Sequence, residues 1–83
     1  VVQDILPSTL STYANVVLAS ASFAEREGTI VNHASLAQSL KPAIRPPGEA
    51  RQDGRIFMQL AGRTGLFHAA SLRDEMAELI PAF

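Results

Sequence analysis

Two apolar, β-prone runs near the front of the chain set the narrowest limit on its fold. Val1-Val2-Gln3-Asp4-Ile5-Leu6 opens on β-branched residues and is stopped by Pro7, which has no N–H to give a strand ladder. With no Met and no polar lead-in, it reads as a strand already under way inside a longer chain. Asn15-Val16-Val17-Leu18-Ala19 is a continuous apolar run bounded by polar residues, the pattern of a strand buried on both faces of a parallel sheet. The stretch between them, Pro7 to Ala14, is close to the shortest connection a parallel pair can use. Ser8 and Ser11 offer oxygens to free N–H groups there, so a short helix is expected over Thr9 to Ala14. The unit would be a right-handed β-α-β crossover.

The rest of the chain is more heavily punctuated. Ala19 to Ala24 is small and polar, suited to a loop where backbone approaches backbone. Glu25-Arg26-Glu27 forms a charged bend, after which Gly28 can take positive φ. A strand over Thr29 to Asn32, a turn at Asn32-His33-Ala34-Ser35 and a weaker return over Leu36 to Leu40 make a hairpin. Lys41 to Gly48 holds Pro42, Pro46 and Pro47 and should run extended and exposed. A helix then starts at Glu49 or Asp53 and reaches Thr64, with Ile56, Phe57, Leu60 and Ala61 at helical spacing and Gly65 as a left-handed stop. Gly54 inside it costs about 1 kcal/mol relative to alanine. Ser71, followed by Asp74 and Glu75, resembles the capping start of a second helix carrying Leu72, Met76, Leu79 and Ile80 and ending before Pro81.

The expected architecture is α/β: a small partly parallel sheet with a short crossover helix, a β-hairpin and two C-terminal helices, as a fragment of a larger α/β domain. Residues 1–40 form the strand-rich part, 41–48 a Pro-rich linker and 49–83 the helical part.

Composition narrows the function classes. With 83 residues the chain is one domain or a piece of one, and 47% hydrophobic against 18% charged residues implies a surface partly meant to be covered. Seven Lys+Arg against eight Asp+Glu, with no block of like charge, gives neither a nucleic-acid footprint nor a polybasic anchor. No run approaches the roughly 20 apolar residues of a membrane span, and no signal-peptide pattern opens the chain. The absence of cysteine removes disulfides, thiolate nucleophiles and Cys-held clusters from this stretch.

Candidate chemical sites reduce to ordinary structure. His33 and His68 each lack a second ligand at helical or strand spacing, so neither is read as a metal ligand. Glu25 and Glu27 sit in a short charged bend where water keeps both ionised, which argues against an acid–base pair. Ser20 and Ser22 lack a Gly-x-Ser-x-Gly elbow. Gly62-Arg63-Thr64-Gly65 ends a helix where a phosphate loop would begin one. No catalytic, cofactor-binding or metal-binding residue is therefore assigned. The stripe Leu72, Met76, Leu79, Ile80 is read as core, with docking of a partner helix or groove as the alternative.

Several ordered motifs resemble one segment of the molybdopterin oxidoreductase family. They are Val2-Gln3-Asp4, Tyr13 to Leu18, Phe23 to Asn32 with Glu25, Gly28, Thr29 and Asn32, then Gln38, and Pro46-Pro47-Gly48-Glu49-Ala50-Arg51. The similarity runs from about Val1 to Gly65 and is strongest to the large iron–sulfur subunit of NADH-quinone oxidoreductase, with formate dehydrogenase alpha subunits next. The chain departs from the pattern at Asn15 (Asp), Ala19 (Pro), Ala34-Ser35-Leu36 (Glu-Gly-Arg), Gln52 (Pro) and Gly54 (Trp). The resemblance implies a non-catalytic scaffold segment of a respiratory complex, cytoplasmic and held to the inner membrane through other subunits. Its partners would be the remainder of the parent subunit and neighbouring subunits. The parent would be an NADH:quinone oxidoreductase carrying iron–sulfur clusters and no molybdopterin, since the charged residues of the turn are lost. A late segment of a molybdenum-dependent formate dehydrogenase and a stand-alone interaction module are the alternatives.

Overall fold

The first two runs do lie side by side. In the computed structural model, which describes residues 1–81, strand β1 (Val2–Asp4) pairs in parallel with β2 (Val17–Ala19) in the register Val2 to Val17, Gln3 to Leu18 and Asp4 to Ala19. Helix α1 (Thr9–Tyr13) makes the crossover between them. Its first turn is closed by Ser11, whose Oγ accepts the Ser8 N–H at 3.0 Å and donates to the Ser8 carbonyl at 2.6 Å. Both strands are shorter than the apolar runs that encode them: β1 ends at Asp4, three residues before Pro7. There the Asp4 carboxylate accepts the Ile5 N–H at 2.7 Å and so turns the chain out of the ladder.

Burial on both faces does not occur in this chain. Val16 is 48% and Val17 52% exposed, because a two-stranded sheet and a one-turn crossover helix supply no layer to cover either face. The hydrophobic residues buried among those described are Ala21 and Ile56.

The loop after β2 brings backbone onto backbone as expected. Ala21 N–H donates to the Arg51 carbonyl at 2.8 Å and Arg51 N–H to the Ala19 carbonyl at 3.0 Å, so Arg51 runs as a one-residue parallel neighbour of Ser20. Ala21 is 0% exposed under this crossing, which explains the run of small residues there. A single 3-10 turn (Phe23–Glu25) follows, closed by Glu25 Oε2 accepting the Ser22 N–H at 2.9 Å. Glu25 is therefore a half-buried capping group, correcting its reading as a freely solvated bend residue.

The hairpin consists of β3 (Gly28–Val31) and β4 (Ala37–Leu40), antiparallel, with Gly28 opposite Leu40 and Val31 opposite Ala37. Gly28 is not at positive φ. It opens β3 in ladder geometry, and a Cβ built on it would meet nothing, so the bend is made by the residues before it. The left-handed residue lies in the turn instead: Ser35 has φ 62°, and Asn32 Oδ1 accepts the N–H groups of Ala34 (2.9 Å) and Leu36 (3.0 Å). Ser35 stands where the resembled pattern has glycine, so that glycine is accounted for by turn geometry. Replacing Ser35 with Gly should relieve roughly 1–2 kcal/mol of left-handed strain against an entropy cost of roughly 0.5–1 kcal/mol. The expected result is a net stabilisation of about 0.5–1 kcal/mol, read from urea denaturation midpoints.

Lys41 to Gly48 has neither helix nor strand but is not a free linker. The Ala24 carbonyl accepts the N–H groups of Ala43 (2.7 Å) and Ile44 (3.1 Å), and a turn from Pro47 to Ala50 passes through Gly48 at φ 54°. Helix α2 (Asp53–Leu60) then ends earlier than Thr64. Its left-handed stop is Gly62 at φ 71°, with Gly62 N–H donating to the Gln59 carbonyl at 3.1 Å and Arg63 N–H to the Met58 carbonyl at 2.9 Å. These two bonds define a Schellman motif and leave Gly65 one loop too late to cap the helix.

Helix α3 (Ala69–Leu79) starts at His68, before the expected Ser71, because His68 Nδ1 and Ser71 Oγ meet at 2.9 Å and close the first turn from inside. It ends before Pro81, as expected. Arg63 pairs with Glu75 across the α2–α3 connection at 3.0 Å, and Arg73 Nη1 donates to Thr29 Oγ1 at 3.2 Å, tying α3 to β3. The Leu72, Met76, Leu79, Ile80 stripe is only partly covered: Leu72 is half-buried and the other three are exposed.

Candidate functional site

The densest polar contact in the chain is one that periodicity does not reveal. Asp53, first residue of α2, receives Gln3 Nε2 on Oδ1 at 2.7 Å and Arg26 Nη1 on Oδ2 at 2.5 Å. Beside it, Gln52 Oε1 accepts the Glu27 N–H at 3.0 Å. Three segments distant in sequence thus converge at the start of α2: the middle of β1, Ser20 in the loop after β2 and the bend before β3. The helix N-terminus adds to the favourable field at the carboxylate.

Two opposed influences act on Asp53. Burial raises its pKa, but the hydrogen bond from Gln3, the nearby Ser20 hydroxyl and the Arg26 guanidinium together outweigh burial and hold the carboxyl below its ordinary value. Ser20 itself is 7% exposed and its Oγ makes no hydrogen bond of good geometry, so its contribution is that of a neighbouring dipole. Asp53 is therefore a charged structural junction at neutral pH. A poised acid or base would need a pKa displaced the other way.

The motif residues quoted above act mostly as turn-makers and ties. Glu25 closes the 3-10 turn, Gly28 opens β3, Thr29 accepts from Arg73 and Asn32 organises the hairpin turn. Gln38 lies opposite Ile30 on β4, the Pro47 carbonyl accepts the Ala50 N–H at 3.1 Å, and Gly48 provides the turn's positive φ. Glu49 and Arg51 line a cavity of about 360 Å³ together with Val17, Leu18, Ala19, Ile56, Gln59 and Leu60. Within it Arg51 Nη1 donates to Gln59 Oε1 at 2.9 Å. A second, more apolar groove of about 520 Å³ separates the hairpin from α3, walled by Val31, Ala37, Phe67, Leu72 and Met76. His33 lies exposed in the hairpin turn and His68 caps α3, far apart in the chain, and among the described residues no group of three or more His, Cys, Asp or Glu converges.

A parallel pair with its crossover, a hairpin and two following helices, held by ties at the motif positions, make a small α/β fold. The chain belongs to the molybdopterin oxidoreductase family, whose profile matches residues 1–63. Two Staphylococcus aureus proteins, from strains USA300 and NCTC 8325, are each 36% identical to it over 87 aligned residues. Both are named "Putative formate dehydrogenase". A protein of the same name from the bovine strain RF122 is 34% identical. In each case the match takes in 100% of this chain and 9% of the relative's own length.

The family expectation therefore holds, whereas the narrower likeness to the NADH-quinone oxidoreductase subunit does not follow from these relatives. The motifs that carried it are turn and tie residues in this chain. Family membership also points to a molybdenum cofactor in the parent, correcting the expectation of a parent without molybdopterin. Three of the polar side chains such a group could use are engaged within the chain: Arg26 and Gln3 by Asp53, and Arg51 by Gln59. No helix among the described residues is long and apolar enough to cross a membrane.

Proposed function

We propose that this chain is a structural segment of the large subunit of a molybdenum-dependent formate dehydrogenase-like oxidoreductase, fixing part of the α/β framework around a catalytic centre built by the rest of the parent. The observation that carries this is the full-length match of the chain to relatives bearing the formate dehydrogenase name. The geometry is in keeping with a framework role, since Gln3, Glu25, Arg26, Asn32, Arg51 and Asp53 are engaged in internal ties. Its partners are then the remainder of the parent polypeptide and whatever subunits receive its electrons. The expected result is stoichiometric molybdenum in the purified parent, by plasma mass spectrometry, together with formate-dependent dye reduction.

A second reading keeps the segment in the large iron–sulfur subunit of an NADH-quinone oxidoreductase, peripheral to the inner membrane. It is favoured by the departures at Asn15, Ala19 and Leu36, which remove a charge, a rigid residue and a cation from the resembled pattern. A parent free of molybdenum that passes electrons from NADH to quinone would establish this reading and overturn the first.

A further inference from the structure

We propose that Asp53-Gly54 is a site of spontaneous aspartate isomerisation, whose rate is set by the ties of Asp53 to Gln3 and Arg26 and by the winding of the first turn of α2. It is the single Asp-Gly pair in the sequence, and no Asn-Gly pair occurs. Glycine after aspartate leaves the peptide nitrogen unshielded, because no Cβ stands in the way of its attack on the neighbouring carboxyl carbon. In that reaction the Gly54 nitrogen bonds to Asp53 Cγ and gives up its proton, one carboxyl oxygen leaves as water, and a five-membered succinimide results. Water then opens the ring. Addition at Cγ restores aspartate, whereas addition at the former main-chain carbonyl leaves isoaspartate, with the backbone running through Cβ and Cγ. Water is the one co-reactant, and no atom changes its oxidation state.

Packing keeps the labile pair in the chain, and the fold restrains it. A Cβ at residue 54 would overlap the Phe67 ring, so glycine is the residue this contact admits. As the second residue of α2, Gly54 has no helical carbonyl four positions back to take its N–H, so the attacking nitrogen is not held by the ladder. The restraint therefore comes from Asp53. Ring closure needs the Asp53 Cβ and the Gly54 nitrogen eclipsed about the Cα–C bond, and a helical ψ of about −42° keeps them apart. It also needs Cγ to leave its staggered rotamer. Both carboxylate oxygens are committed, Oδ1 to Gln3 Nε2 and Oδ2 to Arg26 Nη1, so that rotation breaks both bonds. The ion pair also favours the ionised carboxylate, which accepts the nitrogen less readily than the acid does. Isoaspartate lengthens the main chain by one carbon at the first residue of α2 and draws the carboxylate away from its partners, so each event dissolves the junction for good. This holds whichever substrate the parent oxidises.

The intact parent, kept for weeks at neutral pH in heavy-oxygen water and mapped by tandem mass spectrometry, provides the test. In urea, residue 53 should accumulate isoaspartate ahead of every other Asp and Asn of this segment; none at residue 53 would overturn the site. The native parent should react there at least about tenfold more slowly than the unfolded one, since the reaction waits for local opening; equal rates would overturn the restraint. Native Arg26→Ala should speed isomerisation at residue 53 on the order of tenfold, the loss of one charge-assisted hydrogen bond, and Gln3→Ala by less. If Arg26→Ala does not accumulate, Gln3→Ala carries the comparison, and a rate at residue 53 unchanged by removal of these ties would sink the proposal. Gly54→Ala, measured in urea where folding has no part, should slow the reaction severalfold; an unchanged rate would show that the Gly54 nitrogen is not the attacking group.

Discussion

Replacing Asp53 with alanine is expected to lower the unfolding free energy by about 2 kcal/mol, a large fraction of what a chain of this size can hold. The loss is more than two hydrogen bonds. Arg26 and Gln3 are left pointing at an empty site beside the buried Ser20 hydroxyl, and β1 and the bend before β3 lose the residue that ties them to α2. Side-chain exposures of 36% for Arg26 and 31% for Asp53 admit solvent, which keeps the effect below that of a fully buried pair. Asp53→Asn should cost less, about 1 kcal/mol, because it can still accept from Gln3 but presents no charge to Arg26.

The pH dependence has a definite sign. The folded-state pKa of Asp53 lies below its unfolded value, so its contribution is fully present above the ordinary carboxylate range and is lost as pH falls through the lowered folded value. Urea denaturation over an acid pH series should therefore show a steeper loss of stability in the wild type than in Asp53→Asn. Parallel curves would mean that Asp53 is no junction.

How much of this was legible in the residues depends on the range of the interaction. The crossover and the hairpin could be read because Pro7, the Val-Val-Leu run and Asn32 act on neighbours within a few positions. Asp53 could not, since a single Asp ahead of a helix looks like an ordinary first-turn acid, and its partners lie at Gln3 and Arg26. The exposure of Val16 and Val17 is not legible in an apolar run, which reports what the strand needs, while coverage depends on layers that the described residues do not supply. Boundary errors arose where two residues offered the same chemistry: Gly62 preceded Gly65 as a helix stop, and His68 engaged Ser71 before Ser71 could cap. One signal was available and unused. A glycine in the first turn of a helix still costs backbone entropy, so its presence between Asp53 and Arg55 marks a place where something comes close.

That something is the Phe67 ring, and its removal or retention should reverse the sign of a mutation at Gly54. Alanine is the better helix former by about 1 kcal/mol, so Gly54→Ala in an isolated helix would stabilise. Here a Cβ on Gly54 would overlap the ring, with Phe67 Cδ2 at 2.9 Å and two further ring atoms closer still. Relief requires the half-buried ring to swing away from α2, and overpacking of this kind costs roughly 1–3 kcal/mol. The expected outcome is a net destabilisation of about 1–2 kcal/mol for Gly54→Ala, seen as a lower denaturation midpoint. In a Phe67→Ala background the same substitution should instead stabilise by up to about 1 kcal/mol, because only the helix propensity then remains. In this chain the ring is supplied from the loop before α3, and glycine on α2 is the space it fills. A destabilisation of equal size with and without Phe67 would show that the ring and the glycine are independent, and would remove this account of how α3 is set against α2.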